Sequence, residues 1–380
     1  MNFQLSDTQK MMRDLARDFA TKELAPIAAE IDQEERIPKE IIEKMAEIGF
    51  TALNVPEEYG GPGLDTVCKV LVVSELARQC ASTAEVIAVH TLANDIILKH
   101  GTQAQKQKYL TAAVEGKIGA FALTEAGAGS DAAAAKTKAI ADGDDYVING
   151  SKCFISNMGP TEGDFVILIA LTEPEKGTKG MSAILVDRGT PGFTVGKREE
   201  KMGIRGADIS ELIFEDCRVP RSNLVGKEGE GFKIAMMGLD GGRIGMAAQA
   251  LGISDAAIAA SVKYMGERVQ FGKPIGRNQG LQWYLADMAT RLEAARLLTL
   301  QAADALDNKL PGISKKASMA KYYASETATY VADLALQMHG GYGYMKDYAI
   351  ERIYRDARIL RIFEGTSEIQ RIVIAKELLK

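Results

Sequence analysis

Phe165-Val166-Ile167-Leu168-Ile169-Ala170-Leu171 is an unbroken apolar run, short and bounded by turn residues, and it reads as a strand. Runs of the same kind lie on both sides of it: Ala120 to Thr124, Tyr146 to Ile148, Cys153 to Ile155 and Ser182 to Val186. Asn149-Gly150 separates two of them as a two-residue hairpin signal. Residues 119 to 228 therefore read as a β unit of barrel or sandwich type. The strands lack the intervening helices of βαβ units, which argues against a Rossmann fold.

On either side the period is helical. Ser6-Asp7-Thr8-Gln9 is a capping box, followed by an apolar stripe at Met12, Leu15, Ala16 and Phe19. Pro38 suits the first turn of a second helix, with Ile41, Ile42, Met45 and Ile48 on its apolar side and Gly49 as its stop. After Gly231 the helical pattern returns and holds to the end. The alanine-rich stretches 247–260 and 294–305 suit closely packed long helices. The expected fold is α+β and multidomain: an all-α unit at 1–118, the β unit at 119–228 and a helical bundle at 229–380.

Composition narrows the function. The 380 residues are 46% hydrophobic and 26% charged, globular values that exclude a disordered or fibrous chain. A net charge of −5 argues against a nucleic-acid partner. Cys68, Cys80, Cys153 and Cys217 form no C-x-x-C pair, and His90, His100 and His339 lack metal-ligand spacing, so no metal and no disulfide framework are expected. No apolar run approaches the roughly 18 residues of a membrane span. The N-terminus opens straight into a helix signal, and the last residues do not form a Ser-Lys-Leu address. The expectation is a cytoplasmic protein.

Several segments carry chemistry. Leu123 to Asp131 contains Gly127, Gly129 and Ser130, open backbone N–H groups and a hydroxyl that suit an anionic ligand or simply a Gly-rich loop after a strand. Asp240-Gly241-Gly242-Arg243-Ile244-Gly245 places three glycines in a helical region, where each costs roughly 1 kcal/mol. Either a ligand or a neighbouring helix approaches that backbone. Arg268 to Pro274 and Gln337 to Gly343 end helices with glycines, as C-caps or as a pyrophosphate site. Near the C-terminus, Ser367 with Gln370 is a capping box that starts a helix. Glu364 sits just ahead of it between Ile362-Phe363 and Gly365, apolar surroundings that raise a carboxyl pKa and suit a general base, or else an exposed loop position.

Taken in order, these segments resemble the acyl-CoA dehydrogenase family over essentially the whole chain. Leu123 to Asp131, Lys201 to Gly206, Phe214 to Pro220, Arg268 to Pro274, Gln337 to Gly343 and Tyr354 to Ala357 leading to Glu364-Gly365-Thr366 carry the match. The resemblance implies a helical N-terminal domain, a middle β domain and a C-terminal four-helix bundle, assembled as a homotetramer around FAD. Phe121, Ala122, Leu123, Thr124, Gly129 and Ser130 would lie along the flavin. Phe154-Ile155-Ser156 stands where the family commonly has Trp-Ile-Thr. Arg268, Gln279, Gln337, Met338, His339, Gly340 and Gly341 would hold phosphates and adenine across a subunit interface, with Thr366 and Glu368 closing the site. Asp240, Gly241, Gly242, Arg243, Ser130 and Gly365 would border the thioester.

Glu364 aligns with the family's base, which removes the α-proton while a β-hydride passes to the flavin. Some relatives place the base at the position of Gly242; glycine excludes that variant here. The implied activity is short-chain, butyryl-CoA-like dehydrogenation to the trans-2-enoyl-CoA, with an electron-transferring flavoprotein as partner. The alternatives are enoyl-CoA reduction with a low-potential flavoprotein, an acyl-CoA oxidase, or a CoA-ester-binding scaffold. Ala207-Asp208-Ile209, Tyr348-Ala349-Ile350 and Phe363 depart from the family pattern. His90 and Asp95 suggest either a polar or branched acyl group or ordinary helix-surface roles.

Overall fold

The computed structural model describes residues 4–380. Its first helices are α1 (Asp7–Phe19), α2 (Ala28–Glu34), α3 (Lys39–Glu47), α4 (Thr66–Gln79), α5 (Ala81–His100) and α6 (Gln103–Val114). Both halves of the Ser6 capping box form, and Met12, Ala16 and Phe19 are buried. Leu15, expected in the same stripe, is exposed. Pro38 caps α3 instead of entering its first turn, and Gly49 ends it at φ +81°. α5 is buried on all sides from Ala81 to Ile97, which is why it shows no one-sided apolar stripe.

The β unit comprises β1 (Gly119–Ala122), β2 (Lys138–Asp142), β3 (Asp145–Ser156), β4 (Phe165–Leu171), β5 (Met181–Asp187), β6 (Phe193–Arg198), β7 (Ile209–Pro220) and β8 (Leu224–Val225). They form a single sheet in the order β6-β7-β3-β2-β4-β5-β8, with β1 parallel to β4. Every residue of β4 is buried, as its unbroken apolar run requires.

The hairpin expected at Asn149-Gly150 is absent. β3 runs through it, and the turn lies one step earlier, where Gly143 at φ +61° joins paired Asp142 and Asp145. Asn149-Gly150 is instead a slip in register against β7. There the Asn149 amide exchanges hydrogen bonds with Asp216 at 2.9 and 3.1 Å. A Cβ on Gly150 would fall 2.9 Å from the Thr137 backbone. A glycine with positive φ serves a bulge as well as a turn, so the dipeptide alone does not separate the two.

The bundle contains α7 (Gly231–Glu267), α8 (Gln279–Asp307), α9 (Ile313–His339), α10 (Ala349–Ile359) and α11 (Ser367–Leu378), with a small ribbon, β9 (Val269–Gln270) and β10 (Lys273–Pro274), after α7. α7 packs against α4 and α5 on one side and α8 and α9 on the other, so its glycines lie at the junction between the helical units. Among the described residues it is the one helix long and apolar enough to cross a bilayer, an exception to the sequence reading, and 67% of that window is buried inside the fold.

Arg355 on α10 ties the three zones together. It donates to Asp32 on α2 at 2.7 and 2.9 Å, to Glu351 at 2.7 and 2.9 Å and to the Met202 carbonyl at 3.0 Å.

Candidate active site

Glu364 lies in the connection between α10 and α11 at φ +53°, a left-handed conformation costly for a residue with a side chain. Side chains around the turn hold it there. Gln370 Nε2 donates to the carbonyls of Glu364 and Gly365 at 3.1 and 2.8 Å. The fully buried Lys321 Nζ donates to Gly365 O at 2.7 Å. The cap of α11 is Thr366, not Ser367: the Thr366 hydroxyl accepts from Ile369 N at 3.3 Å, while Ser367 Oγ donates to Glu326 at 2.7 Å. Gln370 is thereby released from a capping box to hold the base turn.

The carboxyl faces α7. A Cβ on Gly242 would lie 2.6 Å from Glu364 Oε2, so the glycine makes room for the acid. Oε2 is enclosed and accepts no hydrogen bond. Burial pushes the Glu364 pKa up to about 7, against the opposing pull of Arg243 and Lys321. Arg243 is itself buried and donates to Asp240 at 2.7 Å, and Ser314 donates to the second Asp240 oxygen at 2.6 Å. An unpartnered carboxyl with a pKa near neutrality is equipped for proton transfer.

A cavity of about 20 Å³, room for about one water, lies between α4, α5 and the α7 glycines, with Gly242 in its lining. Asp95 lines it but is committed to Lys69 at 2.8 Å and Asn54 at 2.7 Å. His90 does not reach it. Its Nδ1 accepts from Gly119 N at 2.8 Å, which assigns the proton to Nε2, 2.7 Å from Thr51 O. Burial pushes the His90 pKa down to about 4, so the ring stays neutral and joins α5 to β1. Neither residue has a helix-surface role.

The residues that the resemblance assigns to FAD fall on two surfaces. Phe121 and Ala122 close β1 and Leu123 and Thr124 follow it; Phe154, Ile155 and Ser156 close β3; Gly129 and Ser130 are exposed in the loop beyond β1. Phe154, at φ +58° beside a register shift, is 60% exposed, an open aromatic face for a planar ring. The sequence reading missed what holds this loop. Buried Lys152 donates to Leu123 O at 2.9 Å and Glu125 at 2.8 Å, and Glu125 accepts the N–H groups of Lys136 and Thr137. Asp208, one of the departures, accepts from Gly159 N at 2.6 Å and Thr161 N at 2.9 Å and fixes the turn after Ser156.

The second surface is a cleft of about 600 Å³ on the bundle, lined by Arg268, Gln337, Met338, His339, Gly340 and Gly341 among others. A Cβ at Gly340 or Gly341 would meet nothing within 4 Å, leaving backbone open to a ligand beside a guanidinium, as a pyrophosphate requires. His339 is committed locally: Nδ1 lies 2.7 Å from Ala335 O and the ring stacks on Tyr264. Gln279 starts α8 just outside the cleft, between the lining residues Asn278 and Leu281. Thr366 is used as a cap, and exposed Glu368 pairs with Arg371. No β-unit residue lines this cleft, so one chain does not bring the two surfaces together.

Family models agree with this arrangement from end to end. The acyl-CoA dehydrogenase N-terminal domain matches residues 6–117, the middle domain 120–217 and the C-terminal domain 229–379. The chain is 55% identical to an acryloyl-CoA reductase (NADH) of Anaerotignum propionicum, over 100% of this chain and 96% of that protein. It superimposes with a TM-score of 0.98 and 48% identity on a chain of the electron transferring flavoprotein structure of Acidaminococcus fermentans, solved toward a mechanism of flavin-based electron bifurcation. With butyryl-CoA dehydrogenase of Megasphaera elsdenii the TM-score is 0.97 at 45% identity, and both comparisons cover 100% of each chain. Glu364 against Gly242, the three domain matches and full-length superposition lead to one conclusion: the chain belongs to the acyl-CoA dehydrogenase family of FAD-dependent oxidoreductases.

Proposed function

We propose that this chain dehydrogenates a short-chain acyl-CoA at its α,β-bond to the trans-2-enoyl-CoA, with Glu364 as the base. The observation that carries the reading is the enclosed, unpartnered Oε2 of Glu364 against Gly242. Bound FAD supplies the acceptor for the β-hydrogen, which leaves as a hydride. Glu364 takes the α-proton, and the C–H electrons become the new double bond. Asp240, Gly241, Gly242, Arg243, Ser130 and Gly365 border the thioester. Phe121–Thr124, Phe154–Ser156 and the open loop at Gly129 and Ser130 receive the ring system. Arg268, Gln279, Gln337 and the glycines beyond it receive the phosphate and adenine end of a neighbouring copy's cofactor, with Thr366 and Glu368 at its rim. The resemblance of the chain to one in the Acidaminococcus fermentans structure supports an electron-transferring flavoprotein as redox partner.

The reverse direction, reduction of an enoyl-CoA, is favoured by the 55% identity to an acryloyl-CoA reductase. The pKa of the base separates the two. Dehydrogenation needs ionised Glu364, so its kcat/KM rises as pH passes upward through about 7; reduction needs the protonated acid, so its rate falls over the same interval. The test is an anaerobic visible spectrum of the purified protein titrated with butyryl-CoA. Bleaching of a yellow protein, lost or greatly slowed in Glu364→Gln while thioester binding persists, is expected. A yellow protein that neither bleaches with butyryl-CoA nor, once reduced, reoxidises with crotonyl-CoA would reject the short-chain reading.

A further inference from the structure

The turn that carries Glu364 holds two consecutive residues in the left-handed region, Glu364 at φ +53° and Gly365 at φ +89°. Such a backbone persists only where its surroundings over-determine it. Lys321 and Gln370 bind carbonyls inside the turn, and neither fixes its ends.

The ends lie three residues to either side of the base, at Arg361 and Ser367. Ser367 N donates to Arg361 O at 3.0 Å, which closes the turn on itself. The same two residues meet on a single atom of α9. Glu326 Oε1 accepts from Arg361 Nε at 2.9 Å and from Ser367 Oγ at 2.7 Å. One carboxylate oxygen thus clamps both ends of the base turn to the bundle. Arg371 donates to Tyr322 on the same helix at 2.9 Å, so the start of α11 is held to α9 as well.

The clamp does little for global stability. The side chains of Glu326 and Arg361 are 29% and 34% exposed, and ion pairs open to water contribute little to it. What the clamp controls is direction. With both ends of the turn pinned, the Glu364 carboxyl points at Gly242, where a Cβ would lie 2.6 Å from Oε2. A misplacement of about 1 Å at a reacting group can cost on the order of a hundredfold in rate.

We propose that Glu326 is a positioning residue of the reaction: through Arg361 and Ser367 it holds the base turn against α9 and aims the Glu364 carboxyl at the α-carbon of the thioester beside Gly242. The inference deepens the reading of Glu364 as the base and rests on it. The charged and titratable groups acting on that carboxyl are Arg243 on α7, Lys321 on α9 and buried Glu85 on α5. Glu326 itself pairs with Arg361 and acts on Lys321 and Arg371. A turn released from α9 lets water reach an acid whose pKa burial raises, so that pKa relaxes downward.

The test follows anaerobic flavin bleaching by butyryl-CoA after rapid mixing, in the wild type and in Glu326→Ala, Glu326→Gln and Arg361→Met. In Glu326→Ala the limiting rate should fall about tenfold to a hundredfold, with the half-saturating thioester concentration and the FAD content little changed. The pH midpoint of that rate should move below the wild-type value. Glu326→Gln keeps an acceptor oxygen for both donors and should recover most of the rate. If Glu326→Ala does not fold, Arg361→Met, which releases one end of the turn, replaces it with a smaller fall in the same sense. A folded variant with the wild-type limiting rate and pH midpoint overturns the inference and leaves Glu364 as the base. A variant that loses FAD or raises the half-saturating concentration at an unchanged limiting rate overturns it equally. No bleaching in the wild type overturns the dehydrogenase reading and this inference with it.

Discussion

Two demands act on Glu364 in opposite directions. Enclosure favours the neutral acid, while Arg243 and the buried Lys321 favour the anion. Removing a cation shifts the balance in a known sense. Lys321→Met should raise the pKa of the base, moving the rise of the dehydrogenation profile to higher pH; because Lys321 also holds Gly365 O, turnover should fall even at the new optimum. Lys321→Arg should restore the pH midpoint better than the rate. An unchanged pH midpoint in Lys321→Met would remove this role. Gly242→Ala tests the other side of the carboxyl. Its methyl would sit 2.6 Å from Oε2, so the acid must rotate away; kcat should fall about tenfold to a hundredfold with little change in thermal stability. The place of Glu364 before a helix left a base and an exposed loop position equally open until the family resemblance chose between them, and the need for glycine at 242 was only half legible. Its closeness to a carboxyl more than a hundred positions away comes from the fold. Lys321 escaped notice because nothing in its local sequence distinguishes a buried polar group from an exposed one.

At the level of elements, β4 and the α1 cap were readable because the local signal has one structural outcome. Asn149-Gly150 and Ser367-x-x-Gln370 were misread because theirs has two. A positive-φ glycine makes a turn or a bulge, and a Ser/Gln pair three apart caps a helix only when no residue ahead of it does so first. The Glu125–Lys152 pair, which fixes the loop after β1 to β3, was invisible for a different reason. It joins residues 27 apart across a sheet whose register no short motif encodes. Lys152 is fully buried, so Lys152→Met removes the donor to Leu123 O and the counter-charge of Glu125, which keeps the Lys136 and Thr137 N–H groups, and should cost about 1–3 kcal/mol. The loop bearing Gly129 and Ser130 should loosen with it. Urea unfolding and the fraction of FAD retained through gel filtration would read both; normal values for each would show that the pair is dispensable.

For the whole molecule, large apolar groups are exposed at the bundle cleft, which Phe271 lines, and on α8. Phe271 is 97% exposed, and Trp283 and Tyr284 stand out on α8 nearby in sequence. Together with two cofactor surfaces that one chain does not bring together, they agree with assembly of more than one copy; a homotetramer is what the family resemblance implies. Light scattering should read four copies, and Phe271→Asp should lower that number and release FAD; a monomeric wild type that keeps its FAD would reject the arrangement. Arg355 sets another constraint, on the order of events in the cell. Its bond to Asp32 spans 323 positions. At about 5–20 residues per second a ribosome takes roughly 15–65 s to cover that distance. Through that interval α2 has emerged while its guanidinium partner has yet to be made. Asp32 on α2 thus waits for its clamp until α10 is made, and a truncated product lacking α10 leaves that carboxylate without it.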